Sequence, residues 1–255
     1  MRPLAAAILA LAALSPAGAL ADEYANVHTV AVVVAIPDAI AIRQMSMLSF
    51  SEGSAEFIPT TDLTQLVRRE VSTALARRFT VVDAGVDGVA LGRLDGEARW
   101  DVIDRIVRAG RPSVDAYVFV LPTWTSYGRI EWPGIGMDVP GASEGGATDA
   151  EIYTNYIVIS YDAHKGDRID YGEAELAGGG LFSGVHPMLD CRFDFWPSPH
   201  GMTMAQQQTV TAETVASLEE SLPVALESAG LPTGTGHAVR FHSGDAMATG
   251  ACTRP

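Results

Sequence analysis

The chain has 255 residues, 47% of them apolar and 19% charged, a balance that excludes a disordered chain and is enough to build a sizeable core. Its formal net charge of −14 repels phosphate backbones and anionic head groups alike, so no nucleic-acid partner is expected. Two cysteines are too few for a disulfide-scaffold toxin or growth factor.

Residues 1–21 come first in chain order. Arg2 gives a small positive start, residues 4–14 contain only Ala, Leu and Ile, and Ser15-Pro16-Ala17-Gly18 breaks any helix before Ala19-Leu20-Ala21. This is the make-up of a cleavable export signal, with cleavage near Ala21. The apolar run is about half the ~20 residues of a membrane-spanning helix and no later stretch approaches that length, so no permanent membrane insertion is expected. No cysteine adjoins the cleavage site, which disfavours a lipid anchor. Loss of Arg2 takes the charge from −14 to −15, and the expected product is a soluble periplasmic or secreted protein.

Residues 27–36 (VHTVAVVVAI) form a continuous β-branched run ended by Pro37-Asp38, the pattern of a strand buried on both faces. Residues 39–50 alternate through Ile40, Ile42, Met45 and Met47, and read as a second strand leading into a polar loop. Asp62 with Gln65 three residues later is a capping-box variant, and Leu66, Val67, Val71, Ala74 and Leu75 make one stripe, predicting a helix over 63–78. Arg68, Arg69, Arg77 and Arg78 lie off that stripe and read as a solvated face in preference to an anion site. Arginine in the last turn also suits the helix dipole.

Residues 79–83 (FTVVD) are a short strand that completes a βα unit. A helix over 96–109 carries Trp100, Ile103, Ile106 and Val107 at helical spacing and stops at Gly110 and Pro112. Residues 114–124 (VDAYVFVLPTW) are a further buried strand with an exit at Pro122. Glycines, two prolines and little periodicity over 127–148 predict a long loop, which the domain plan places at 125–150. Residues 152–163 and 168–177 flank the turn His164-Lys165-Gly166-Asp167 and read as an antiparallel hairpin. A second loop over 178–203 opens on Gly178-Gly179-Gly180. A helix over 211–229 follows, with Val215, Leu218, Leu222 and Leu226 on one face and a kink expected at Pro223.

The expected fold is α/β of the α+β-like kind: a mixed sheet in βαβαβ order, then a hairpin and a carboxy-terminal helix. A single domain over 22–230 and a mobile tail over 231–255 complete the plan.

Candidate chemistry concentrates in the loops. Trp124, Trp132, Phe193 and Trp196 are candidate binding anchors, the alternative being packing under the loops. His186, Asp190 and His200, with Cys191 and Asp194 nearby, suggest a metal-binding protein or metal-dependent hydrolase, although their spacing matches no established ligand pattern. An oxidising compartment allows Cys191 and Cys252 to pair, which would remove the thiolate from that set; free thiols are the alternative. The glycine runs lack the strand-loop-helix setting of a phosphate cradle. Ser183 lacks a nucleophile elbow, and Glu173 with Glu175 reads as solubility before glycosidase chemistry. No catalytic residue and no cofactor are expected.

The phrases VHTVAVVVAI, VSTALARRFTVVDAG, SVDAYVFVLPTW and VISYDAHKGDRIDYGEAEL together resemble the TolB amino-terminal and curli-secretion lipoprotein type of α/β domain, in outline over residues 27–228. The chain departs from that group in lacking a lipidation cysteine and in its two long loops. The resemblance implies a binding or assembly role in the cell envelope, with an envelope protein or small ligand as partner.

Overall fold

The computed structural model describes residues 23–45, 56–60, 62–94, 96–127, 130–140, 148–173, 188–198, 200–231, 233 and 252–253. The export segment 1–21, Glu175, the glycine run 178–180, Ser183 and His186 lie outside the described residues.

In chain order the elements are β1 (Thr29–Val34), β2 (Ala39–Met45), β3 (Glu56–Pro59), α1 (Leu63–Leu75), β4 (Thr80–Asp83), α2 (Gly88–Gly92), α3 (Gly96–Ala109) and β5 (Ala116–Pro122). There follow β6 (Trp124–Tyr127), β7 (Ile130–Pro133), β8 (Ile135–Pro140), β9 (Thr148–Thr154), β10 (Tyr156–Asp162) and β11 (Arg168–Glu173). Last come β12 (Met188–Phe193), α4 (Met204–Ser228) and β13 (Cys252–Thr253). The fold is mixed α/β, as the element order implies. Its strands, however, divide between two sheets, with a separate β6–β7 hairpin.

The first sheet has the order β11-β10-β5-β1-β4, parallel across β5, β1 and β4 and antiparallel beyond. β1 lies between β5 and β4, and its Val30 to Val34 are apolar on both faces because helices cover both. Val30, Val32 and Val34 meet Val67, Val71 and Leu75 of α1 and Leu222 and Leu226 of α4. Ala31 and Val33 belong to the opposite core, with Leu91 of α2 and Ile103 and Val107 of α3. Trp100, counted into the α3 stripe from sequence, is 44% exposed; the buried face is set by Ile103 and Val107 four residues apart.

The second sheet has the order β13-β12-β9-β8-β2-β3. Residues 130–133, in the β6–β7 hairpin, and 135–140, in this sheet, are strand where the glycine and proline count predicted loop. The missed signal is a period of two, with Ile135, Met137 and Val139 all buried and Gly134 turning the chain at φ 62° between β7 and β8. The strand expected over 152–163 is likewise two. Thr154 ends β9 in the second sheet, Tyr156 begins β10 in the first, and Asn155 bridges them, donating to Gly134 O at 2.7 Å and accepting from Thr123 N–H at 3.0 Å.

α4 begins at Met204, seven residues before the expected start. Thr203 and Gln206 form a reciprocal capping box there, and the helix continues through Pro223 to Ser228. At 25 residues it is ~38 Å long and serves both sheets. Val210 joins Met137, Ile152 and Phe193 in the core of the second sheet, while Leu222 and Leu226 pack on the first. β11 meets α4 at Gly172, where any Cβ would lie 2.3 Å from Ala229 N.

α1 is capped otherwise than the sequence suggests. Asp62 takes the left-handed conformation (φ 71°) and makes no side-chain cap; Asp38 Oδ1 instead accepts the Thr64 N–H at 2.7 Å. The helix ends at Leu75, so Arg77 and Arg78 lie beyond it. Arg77 donates to Thr233 O at 2.8 Å, and the Arg78 guanidinium stacks over Phe79. Within the segment expected to be a loose tail, Leu231 and Thr233 are buried and β13 pairs with β12.

Candidate functional site

The aromatic and metal candidates scatter. Trp124 and Trp132 sit diagonally on the β6–β7 hairpin, where Trp124 pairs with Pro133 and Thr125 with Trp132. Phe193, expected as a surface anchor, is 1% exposed and stacked 5.0 Å from Phe195, because alternation along β12 turns it with Cys191 into the core. Trp196 is 36% exposed. Position 190 pairs with Glu151 on one side and Thr253 on the other. His200 lies on the surface, its Nε2 3.8 Å from Glu56 Oε1. Among the described residues no three His, Cys, Asp or Glu side chains form a group that could hold a metal. Cys191 stands opposite Cys252 across β12 and β13 and carries no free thiol.

A charged row crosses the second sheet, with Arg43 opposite Asp138, Asp138 opposite Glu151, and Glu151 opposite Asp190. Arg43 and Asp138 are 6% and 1% exposed, and the guanidinium grips the carboxylate at two points, Nε to Oδ1 at 3.0 Å and Nη2 to Oδ2 at 2.9 Å. Tyr153, whose hydroxyl lies over Gly136, is buried with that hydroxyl unpaired. Desolvation raises its pKa, and the Asp138 charge adds to the rise while Arg43 opposes it. This arrangement is a buried ion pair with a phenol beside it. Its donors and acceptors face one another and offer no route for a reacting group.

One open feature among the described residues is the β4 edge of the first sheet. β4 ends the strand order, and Thr80 N–H donates toward β1, to His28 O at 2.7 Å. Successive peptide groups alternate sides along a strand, so the Val81 and Asp83 N–H groups point outward, where no described strand lies. Between this edge and α1 runs a groove of about 550 Å³ lined by Val32, Arg68, Arg69, Ser72, Val81 and Asp83 among others. A smaller groove of about 280 Å³ between α1 and α4 shares Arg69. The helical period explains the lining: Val67 and Val71 face the core, which turns Arg68, Arg69 and Ser72 to its flank.

Two arginines dominate the groove. Arg68 Nη1 stands 3.8 Å from Asp83 Oδ1, beyond hydrogen-bond reach, and its Nε is buried with no partner. Arg69 is mostly exposed and, among the described residues, pairs with its neighbour Glu70, Nε to Oε1 at 3.2 Å. Asp83 is itself held in place, its Oδ1 accepting the Gly85 N–H at 2.9 Å and its carbonyl accepting from Arg111 Nη1 at 3.1 Å. The groove offers strand-pairing groups, the partly exposed Val81 and Val82, and guanidinium donors, a set suited to binding. Sequence reasoning weighed the arginines as a solvated face and missed the edge, because strand order is not written in a short run such as FTVVD.

No protein-family model and no curated relative matches the chain. Among solved structures, lipoprotein GNA1162 from Neisseria meningitidis aligns over 76% of this chain and 99% of its own, at 12% identity and a TM-score of 0.26. No helix among the described residues is long and apolar enough to cross a membrane.

Proposed function

We propose that this chain is an exported accessory protein of the cell envelope that works by binding, and that it offers the outer edge of β4 to an extended segment of a partner protein. The observation that carries the reading is a strand edge, unpaired among the described residues, lying along an open groove. Strand addition takes its affinity from main-chain hydrogen bonds and its selectivity from pockets for alternate side chains, and β4 with α1 supplies both. The export-type amino terminus and the resemblance to envelope α/β domains support the compartment. With Phe193 committed to the core, the aromatic set of Trp124, Trp132 and Trp196 is the less supported surface. Pairing of Cys191 with Cys252 belongs to the same reading, since export is what allows that bond to form.

The test is a photo-crosslinking residue placed at Thr80 in the exported protein, with intact cells illuminated and the adduct recovered. Val81→Pro removes an outward N–H and leaves the bonds to β1 in place. We expect an adduct with wild type, its loss with Val81→Pro, and a mature chain whose mass begins near Asp22. Undiminished adduct in the proline variant, or a chain retained in the cytoplasm with residues 1–21 attached, would overturn the reading.

A further inference from the structure

We infer that the segment received at β4 is acidic, an extended strand whose carboxylates on one face meet Arg68 and Arg69. This rests on the strand-addition reading above. Its own support is the charge pattern of the groove, which runs against that of the chain.

The protein carries a formal charge of −14, yet this groove presents two guanidinium groups. The charged groups around them include Asp83 from β4, Glu70 from α1, Arg111 from the α3–β5 turn, and Asp62, which lines the smaller groove with Arg69. Glu70 pairs with Arg69 on the exposed side of the helix, and Arg111 is spent on the Asp83 carbonyl. Arg68 is left with one carboxylate at 3.8 Å and makes no hydrogen bond among the described residues. A guanidinium in that position has unfilled donors, and an incoming carboxylate within about 2.9 Å would satisfy them better than Asp83 does. Side chains two apart on an added strand share a face and lie about 7 Å from each other, so alternate acidic positions keep one row of carboxylates over α1 while the other row faces away. Val32 and Val81 on the groove floor give the strand an apolar seat.

The experiment uses the mature protein and three fluorescein-labelled synthetic octapeptides that alternate valine with glutamate, serine or lysine, read by fluorescence anisotropy. We expect the glutamate peptide to bind about tenfold or more tightly than the lysine peptide, with the difference shrinking as salt rises. Arg68→Gln should weaken the glutamate peptide about tenfold and leave the serine peptide unchanged. Asp83→Asn keeps the acceptor for Gly85 but removes the competing charge, so it should tighten the glutamate peptide severalfold. A gain of affinity cannot come from misfolding. Equal binding of the glutamate and lysine peptides, both abolished by Val81→Pro, would overturn the acidic preference and leave strand addition standing. Failure of all three peptides to bind would overturn both.

Discussion

Removing one partner of the Arg43–Asp138 pair should cost far more than removing both. Each group is almost wholly out of water, and the two are joined by a two-point contact at 2.9 and 3.0 Å. Truncation of one leaves the other buried without its counter-charge, which costs about 3–5 kcal/mol, whereas an apolar pair of similar volume is often neutral or better. The register makes the penalty unequal. With Arg43→Met, Asp138 still faces Glu151 directly across β8 and β9, so two carboxylates oppose one another with the Arg43 charge removed. Arg43→Met should therefore be the worse single substitution, Asp138→Leu the milder, and the double variant should recover most of the loss. At about 2–4 °C per kcal/mol for a chain of this size, the singles should melt roughly 6–20 °C below wild type. Urea unfolding of all four proteins closes a double-mutant cycle. Single-variant losses under about 1 kcal/mol, typical of a surface pair, would show that water reaches this face and refute the reasoning.

Tyr153 on β9 and Tyr156 on β10 should respond differently to loss of their hydroxyls. Tyr156 Oη donates to Ser221 Oγ at 2.8 Å, so Tyr156→Phe should cost about 1 kcal/mol, while the unpaired hydroxyl of Tyr153 makes Tyr153→Phe neutral or stabilising in the same denaturation assay. Replacing Cys191 and Cys252 with alanine should lower stability by ~4 kcal/mol, the loop-closure value for so long a span, and reduced wild type should match the variant; coincident unfolding curves for oxidised wild type and variant would contradict this. Asp115 accepts the His28 and Thr29 N–H groups at 2.9 and 2.8 Å, and these bonds, His28 foremost, with His164 alongside, hold its pKa below the usual carboxylate range against partial desolvation. A depressed folded pKa stabilises above the unfolded value of about 3.9 and ceases to do so as pH falls through the folded one. The urea midpoints of wild type and Asp115→Asn should therefore part at pH 6 and draw together as the pH falls below the usual carboxylate range, and a gap independent of pH would count against the assignment.

What the sequence disclosed was local. The run from Val30 to Val34 announces a strand covered on both faces, and the α1 stripe and the β10–β11 hairpin follow from period and turn chemistry alone. What it concealed was set by partners distant in the chain. Asp38 caps α1 from 26 residues away, so Asp62 and Gln65 marked the right start, at Leu63, through a side-chain cap that does not form. Glycines at 134 and 136 disguised β8, although one makes a turn and the other admits the Tyr153 ring. The candidate site was hidden for the same reason. Arg68 and Arg69 differ from Arg77 and Arg78 only by where α1 stops and which strand lies beside it, and neither fact can be read from charge spacing.

The second sheet also bears on why the proposed binding site lies at an edge. In β4-β1-β5, α1 covers one face and α2 with α3 the other, so the winding reverses beside β1, and open sheets of this kind ordinarily hold their ligands outside the carboxyl ends of the strands at that reversal. Here β1 runs directly into β2, and β5 runs into the β6–β7 hairpin and β8, so both strands spend their carboxyl ends on extensions of the same chain. Gly88 and Gly92 press α2 against the Val34 and Ala35 carbonyls, closing the place further. The protein has become the tenant of its own crevice, and a newcomer is left the periphery.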